Sequence, residues 1–371
     1  MDLSDLPVVD DHGHPLLAEP WAVPAAVFSQ IFTEGRPGSM DAHLAHGSYY
    51  QRALHGMAAR LGAEPTLEAV LAARRRRGGE TVAMEFAAAR VDALLIDTGY
   101  PPTAMSLDEM RRLLPCAVHE IVRIESLAQG MLARALPYRA FAEAFRAELV
   151  AAAGRAVSFK TVIAYRSGLA VRPWDEADVV AAYGAAVERV RQGGPARLSE
   201  KPLLDALFFV ALSVARETDR PIQVHAGWGD PDVDLPQANP VLLRPIMEDP
   251  RWAGVRLVVL HQAYPYFREA AFMAAVWPQV YLDLSLALPY LGPGAVGPLV
   301  EILALAPTTK LLYGSDVQGL PELFTLSAAW GRAALGEALD WLSARGGVPG
   351  GDGRAIARRI LADNARAVYR L

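Results

Sequence analysis

Two histidines near the start of the chain are spaced so that both could bind one metal ion. His12 and His14 end the run LPVVDDHGH, whose apolar residues are typical of a β-strand. Side chains two residues apart on a strand point in the same direction, so both imidazoles would face one side. The pair on its own is equally compatible with incidental polar residues at a strand end.

Three more potential ligands follow other apolar runs. His225 ends PIQVHAG, His261 ends RLVVLHQ, and Asp316 ends KLLYGSD. If these runs are parallel strands, their carboxyl ends meet at one edge of the sheet, where barrel enzymes hold their active sites. Imidazole and carboxylate together suit zinc first, and also manganese or iron. Asp316 has two interpretations, as the N-cap of the next helix or as a metal ligand that also acts as general base.

Lys160 lies in another strand-like run, SFKTVIAYRSG, and is one of only three lysines among 36 basic residues. A neutral lysine amine can take up carbon dioxide and form a carbamate that bridges two metal ions. Arginine cannot form this adduct because its guanidinium stays charged. Lys160 could instead be a buried ion-pair partner. The predicted site therefore holds one or two divalent ions, depending on this lysine.

Side chains that could hold a substrate follow the same runs. Arg166 could bind a carboxylate with two parallel hydrogen bonds, or it could close a structural ion pair. Aromatic and cationic groups after strands four, five and six complete the predicted substrate-binding set, which consists of Tyr165, Arg166, Trp228, Tyr264 and Arg268.

Eight apolar runs that end in polar residues alternate with stretches of helical spacing. Besides those above, they include runs that end near Asp97, Glu125 and Asp283. This alternation predicts an α/β protein in which eight parallel strands close into a single (β/α)8 barrel over 1–371. The long segment 15–90 after the first strand predicts a helical insertion that forms a lid over the barrel mouth. Its run of arginines at 74–77 is interpreted as a solvated helix end.

Composition excludes several classes of partner. The formal net charge is −5 at pH 7, from 36 basic and 41 acidic residues, which provides no basic surface for nucleic acid or an anionic membrane. No stretch of 18 uncharged apolar residues is present, so we expect no membrane span. The single cysteine, Cys116, and an N-terminus without signal-peptide features favour a cytoplasmic location. We expect a small-molecule substrate, and both a monomer and a homo-oligomer are compatible with the sequence.

The order of these residues resembles the amidohydrolase superfamily. Longer strings resemble its nodulin and FluG-type branch, notably SFKTVIAYRSGL, PIQVHAGWGDPDVDLPQANP, VVLHQAYPYFREAAF, LLYGSD and ADNARAVY. The resemblance covers strands four to eight well and the 15–90 insertion poorly. It implies a metal-dependent TIM barrel whose metal ligands are His12, His14, His225 and Asp316, with Lys160 and His261 as partners of that ion or of a second one.

The reaction implied by this resemblance is hydrolysis of an amide in a small substrate that bears a carboxylate, with a γ-glutamyl amide as the first substrate to test. Hydroxide formed on the metal would attack, Asp316 would act as general base and then acid, and His261 and Lys160 would complete the catalytic set. A metal-dependent decarboxylase or lyase of the same superfamily is the alternative. The remaining alternative is a barrel that binds a ligand without catalysing a reaction.

Overall fold

Strands and helices alternate along most of the chain. The computed structural model describes residues 1–101, 104–348 and 352–371. The strands found there are β1 (Val8–Gly13), β2 (Val91–Asp97), β3 (Ala117–Arg123), β4 (Ala156–Thr161), β5 (Ile222–Val224), β6 (Leu257–Val259), β7 (Val280–Asp283) and β8 (Leu311–Leu312).

The α-helices of the same described ranges fill the segments between and after the strands. They are α1 (Ala25–Gln30), α2 (Asp41–Leu44), α3 (Ser48–Leu61), α4 (Leu67–Arg77), α5 (Val82–Ala88), α6 (Leu107–Leu113), α7 (Ile124–Met131), α8 (Tyr138–Ala153), α9 (Glu176–Arg191), α10 (Lys201–Thr218), α11 (Arg244–Glu248), α12 (Phe267–Val276), α13 (Ala287–Leu291), α14 (Val296–Leu305), α15 (Pro321–Ser343), α16 (Gly353–Arg358) and α17 (Asn364–Tyr369).

The strands form one sheet in the order β1-β2-β3-β4-β5-β6-β7-β8, so each strand lies beside the next one in the chain. The pairs β1/β2, β3/β4, β4/β5, β5/β6 and β6/β7 are parallel. Successive parallel strands need a crossover between them, and helices supply it. This order and alternation are those of a (β/α)8 barrel, which confirms the predicted fold class.

The contacts of the chain group its residues into two compact units. The first comprises 1–119, 229–231 and 283–367, and the second comprises 120–228, 232–282 and 368–371. In the first unit, the backbone after β8 runs beside β1: Asp11 N donates to Tyr313 O at 3.0 Å, and Asp316 N donates to His12 O at 2.8 Å. In the second unit, the stacked pair Phe141 and Phe145 of α8 is fully buried.

The insertion after β1 is helical, as predicted, and comprises α1 to α5. It is anchored in the first unit by a buried ion pair, in which Arg74 of α4 donates to Glu322 of α15 through Nε at 2.7 Å and Nη2 at 3.0 Å. Arg74 is only 1% exposed, so the interpretation of the arginine run as a solvated helix end is wrong for this residue. Arg75 and Arg76, in contrast, are exposed.

Several strands are shorter than their apolar runs suggested. The fourth ends at Thr161, and 163–165 form a 3-10 turn instead of continuing the strand. The third ends at Arg123, so Glu125 lies in α7, where its Oε1 accepts hydrogen bonds from Thr161 Oγ1 at 2.5 Å and Val162 N at 3.0 Å. Glu125 thus caps the end of β4, and the expectation that it extends the third strand is wrong.

One stretch, Ala287–Leu305, is apolar and long enough to span a membrane by length and composition. The structure divides it into α13, a 3-10 turn and α14, and buries Leu299 and Ile302. Core helices of globular proteins meet the same criteria, so the stretch alone is weak evidence for a membrane span.

Candidate metal centre

His12, His14 and Asp316 come together in the first unit. One carboxylate oxygen, Asp316 Oδ1, lies 3.2 Å from His12 Nε2 and 3.2 Å from His14 Nε2. The two imidazole rings are 5.3 Å apart between centroids and inclined by 77°. His12 is fully buried, whereas the side chains of His14 and Asp316 are 13% and 12% exposed. The group is therefore sheltered but can be reached from one side.

This spacing fits a bound divalent ion. Two ligands that are each about 2.0 to 2.1 Å from a zinc ion, at the tetrahedral angle, lie roughly 3.3 Å from each other. The Nε2 to Oδ1 distances of 3.2 Å match that separation. Two imidazole nitrogens and a carboxylate oxygen also form a donor set suited to zinc, manganese or iron. His12, His14 and Asp316 are therefore candidate ligands of one ion.

Backbone hydrogen bonds between β1 and the segment after β8 set this geometry. His12 O accepts from Asp316 N at 2.8 Å, and His14 N donates to Val317 O at 2.8 Å. Asp316 has a φ of 56°, a left-handed conformation that is uncommon for a residue with a side chain. Non-glycine residues in such conformations cluster at functional sites, where the surrounding structure compensates their strain.

Buried carboxyl groups adjoin the centre in the same unit, and sequence reasoning assigned them no role. Asp10, Asp11 and Asp283 are at most 2% exposed. Burial raises the pKa of Asp10 to about 7, against the opposing effect of hydrogen bonds from Ser315. Asp10 and Asp11 stand next to each other in VVDDHGH, directly before His12, and this position could have suggested a role for both.

The insertion contributes an acidic group near the same centre. Tyr290 OH donates to Glu34 Oε1 at 2.9 Å. Burial, followed by the negative charge of Asp316, raises the pKa of Glu34 to about 7. Glu34 follows no strand and belongs to no motif, so the sequence offered no signal for it.

The second unit brings together His225, His261 and Tyr165. The rings of His225 and His261 are 4.6 Å apart between centroids, and the Tyr165 ring lies 4.1 Å from that of His225. His225 directly follows β5, and His261 comes two residues after β6, as their apolar runs suggested. Both imidazoles are at most 3% exposed.

Backbone conformation is unusual around His261. His261, Gln262 and Ala263 have φ values of 66°, 55° and 48°. Their left-handed turn brings the chain against Gly227, where a Cβ would meet Tyr264 O at 2.3 Å, so only glycine fits at that position. Trp228 N then donates to Tyr264 O at 2.8 Å, which holds the predicted pair Trp228 and Tyr264 beside each other.

Lys160 is buried on β4, with 2% of its surface exposed. It pairs in register with Gln223, two residues before His225. Lys160 therefore lies one pleat repeat deeper in the sheet than His225, and its long side chain would have to extend along the strand direction to approach the level of the histidines.

Arg166 and Arg268 have different environments. Within the described ranges, Arg166 Nε and Nη1 are buried and have no hydrogen-bond partner. Such atoms are costly to bury unless a ligand or water satisfies them. Arg268 is exposed near the start of α12 and lies over the Phe267 ring at 5.4 Å. Of the two predicted cationic groups, Arg166 is the one that has buried donors to offer.

Comparisons with known proteins agree with this architecture. The family model described as Amidohydrolase matches residues 9–371. The chain is 28% identical over 362 residues to Protein fluG of Emericella nidulans; the match includes 89% of this chain and 42% of that protein. The chain thus spans less than half the length of this relative.

Solved structures of other proteins are similar to this chain in fold. A Lactobacillus casei ATCC 334 protein, described as a candidate metal-dependent hydrolase, has a TM-score of 0.87 and 28% identity over 99% of this chain and 96% of its own. Uronate isomerase of Thermotoga maritima has a TM-score of 0.70 at 13% identity, over 99% and 95% of the two chains, which shows a shared fold alone. With a family match over residues 9–371 and the eight-stranded barrel described above, the chain belongs to the amidohydrolase family.

Proposed function

We propose that the protein is a metal-dependent hydrolase that cleaves the amide C–N bond of a small substrate bearing a carboxylate. The observation that carries this proposal is the position of Asp316 Oδ1, 3.2 Å from both His12 Nε2 and His14 Nε2. The amidohydrolase family also has members with isomerase and decarboxylase chemistry, so the reaction type is the part that needs a test.

His12, His14 and Asp316 are the proposed ligands of the first ion, with zinc as the first choice of metal. The strand order supports His225 and His261 as further ligands, because the ends of parallel strands in one sheet lie along the same edge. Lys160, as a carbamate, is the proposed bridge to a second ion. A bound divalent ion supplies Lewis acidity and lowers the pKa of coordinated water to about 7.

Asp316 is the proposed general base and acid. Its Oδ1 faces the two histidines, and its backbone is fixed by the hydrogen bond from its N–H to His12 O at 2.8 Å. A carboxylate held in this way can take a proton from the attacking water with its second oxygen, without losing its position. The same group can return the proton to the leaving nitrogen, because attack and departure occur at one carbon.

Arg166 is the proposed carboxylate-binding group. Its buried Nε and Nη1 lack partners in the described structure, and Nε together with a terminal nitrogen forms the edge that binds a carboxylate in bidentate fashion. Tyr165 beside His225, together with Trp228 and Tyr264, would border the substrate. A γ-glutamyl amide offers both a carboxylate and a distal amide, which makes it the first substrate to test.

The proposal also includes location. The single cysteine, Cys116, is free, which supports a cytoplasmic protein because disulfides are rare in that compartment.

The test is a turnover assay with metal-loaded protein and a panel of γ-glutamyl amides, in which amine release and carbon dioxide release are measured separately. We expect amine release without carbon dioxide. Arg166→Gln should raise KM for carboxylate-bearing amides by 10-fold or more, since a charge-assisted pair is worth about 1.5 to 3 kcal/mol, while KM for an amide without a carboxylate stays unchanged. Release of carbon dioxide without amine would establish the decarboxylase alternative instead.

A further inference from the structure

A cleft lies in the first unit, near the amino-terminal ends of β1 and β2. Its volume is about 630 Å³, within the range of small-molecule sites. Leu3, which precedes β1, and Ala89, which precedes β2, both line it. The metal ligands His14 and Asp316 follow the opposite ends of strands, so this cleft is separate from the candidate metal centre.

Three guanidinium groups line this cleft, from Arg60 of α3, Arg77 of α4 and Arg332 of α15. Their hydrogen bonds all go to neutral oxygens. Arg60 donates to Thr325 Oγ1, Arg77 Nη1 donates to Arg60 O at 3.1 Å, and Arg332 Nη2 donates to the carbonyl oxygens of Leu6 and Ala89, both at 2.6 Å. None of the three has a carboxylate ion-pair partner in the described part of the chain.

The acidic side chains of the cleft hydrogen-bond to other groups, although the charges of Glu85 and Glu322 still act on Arg60 from a distance. Glu85 Oε1 accepts from Thr81 Oγ1 at 3.0 Å, and Asp2 Oδ1 accepts from Ser4 N at 2.9 Å. The nearby Glu322 is held by both nitrogens of its bidentate pair with Arg74. The positive charge of the three arginines is therefore not neutralised by direct contacts within the described residues.

Burial makes this excess of charge costly. Arg332 is only 5% exposed, and its Nε is buried without a hydrogen-bond partner among the described residues. Removal from water lowers the pKa of both Arg60 and Arg332. A buried cation without a counter-ion gains most from an anion, and the planar guanidinium fits oxyanions with two parallel hydrogen bonds.

The rest of the lining is apolar. Leu3 is buried at the floor, while Ala329, Ala333 and Met84 lie at the exposed rim, where 66% of Met84 is accessible to solvent. An inorganic ion would leave this surface uncovered. A ligand with a short hydrocarbon part would cover it and displace water from it.

We infer that this cleft binds a small organic anion, with its oxyanion on the guanidinium groups of Arg60, Arg77 and Arg332 and its hydrocarbon part on Leu3, Met84 and the alanines of α15. This site is independent of the proposed hydrolase activity. Its occupant would connect the helical insertion with α15, since Arg60 and Arg77 belong to the insertion and Arg332 to α15.

The test uses the full chain and two isosteric probes, hexanoate and hexanamide, with binding measured by isothermal titration calorimetry and by the shift in Tm. Hexanoate should bind at least 10-fold more tightly than hexanamide and should raise Tm. Inorganic phosphate should bind more weakly than hexanoate because it makes no apolar contact. Equal affinity for the two organic probes, or phosphate binding as tight as that of hexanoate, would overturn the inference.

Amino-acid substitutions test whether hexanoate binds in this cleft. Arg60→Gln and Arg77→Gln should each weaken hexanoate binding by 10-fold or more, whereas Arg75→Gln, an exposed arginine of the same helix α4, should not change it. Ala333→Trp should block the apolar rim and abolish binding while all three arginines remain. Arg166→Gln should leave hexanoate binding intact. If instead Arg166→Gln abolishes it and Arg60→Gln does not, the anion binds at the proposed substrate site and the inference is wrong. Circular dichroism checks that each variant is folded.

Discussion

At the scale of single residues, the candidate metal centre depends on side chains that meet at one carboxylate oxygen. Asp316 Oδ1 lies 3.2 Å from two imidazole nitrogens, so each histidine provides one nitrogen donor to the candidate site. Replacing both His12 and His14 by alanine should therefore reduce metal affinity by on the order of 100-fold or more, since the loss of even a hydrogen bond that supports a ligand costs 10- to 100-fold. Metal content by mass spectrometry is the measurement.

The matched control for this variant replaces histidines of the insertion. His43 and His46 are exposed in the region of α2, and their double alanine variant should keep full metal content. Full occupancy in the His12 and His14 variant, with a native circular dichroism spectrum, would show that the ion binds elsewhere.

The proposed role of Lys160 as a carbamate bridge is supported by the chemistry of its amine. Two divalent cations a few ångströms apart repel strongly, and a carbamate on a neutral lysine is the bridge that this chain can offer. Lys160→Ala should lose the second ion and most activity, and short carboxylic acids should restore part of both. If Lys160→Arg retains metal and turnover, Lys160 has a structural role and the enzyme holds one metal ion. The decarboxylase reaction would then be as well supported as the hydrolase reaction.

At the scale of elements, the helical insertion is tied to α15 by one buried ion pair. Arg74 and Glu322 are 1% and 5% exposed and share two hydrogen bonds. Removal of one partner leaves a buried charge, so Glu322→Gln should lower the free energy of unfolding by about 3 to 5 kcal/mol. Urea denaturation measures this change.

The double variant Arg74→Met with Glu322→Met provides the comparison. It should be less destabilised than either single charge deletion, because no isolated charge remains in the interior. The exposed neighbour Arg75→Met is the surface control. A loss below about 0.5 kcal/mol in Glu322→Gln, the size of an ordinary surface effect, would show that the pair does not anchor the insertion.

The sequence predicted the existence of the strands better than it predicted their lengths. The apolar runs located the ends of β2 at Asp97 and of β7 at Asp283, because buried parallel strands are mostly apolar and polar residues follow where these two strands end. The same criterion made the predicted fourth strand too long. Val162, Ile163 and Ala164 are apolar and buried, but they lie in the turn that follows β4. Apolar composition reports burial, and it does not distinguish a strand from the buried turn that follows it.

Tertiary context explains the other differences. Arg74 is buried because Glu322 lies opposite it, although the two residues are 248 positions apart in sequence. Glu34 lies near Asp316 because Tyr290 holds it there. Neither pairing leaves a local pattern, so no reading of the insertion alone could identify these residues.

At the scale of the whole molecule, a bound metal should stabilise the folded chain. The ligands come from segments that are distant in sequence, so the unfolded chain cannot present the same site. A ligand present at 1,000 times its Kd adds about 4 kcal/mol of stability, and each kcal/mol corresponds to a few degrees in Tm. Dialysis against a chelator should therefore lower Tm by several degrees, and zinc should restore it.

Scanning calorimetry of chelated and zinc-loaded protein measures this shift. The His12 and His14 double alanine variant is the control and should show no response to zinc. An equal response in that variant would assign the stabilisation to zinc bound outside the centre.

The contact between β1 and the segment after β8 also constrains when the site can form during synthesis. The hydrogen bond from Ser315 N to Asp10 Oδ1 joins residues 305 positions apart, and the same segment provides Asp316. A nascent chain that still lacks this segment has His12 and His14 but not the oxygen that faces them. Contacts of such long range form late in folding, because closing a long loop costs entropy before the contact can repay it. We therefore expect metal to be retained only after Asp316 has been synthesised and has folded against β1, and a chain truncated before this segment should fail to retain the ion.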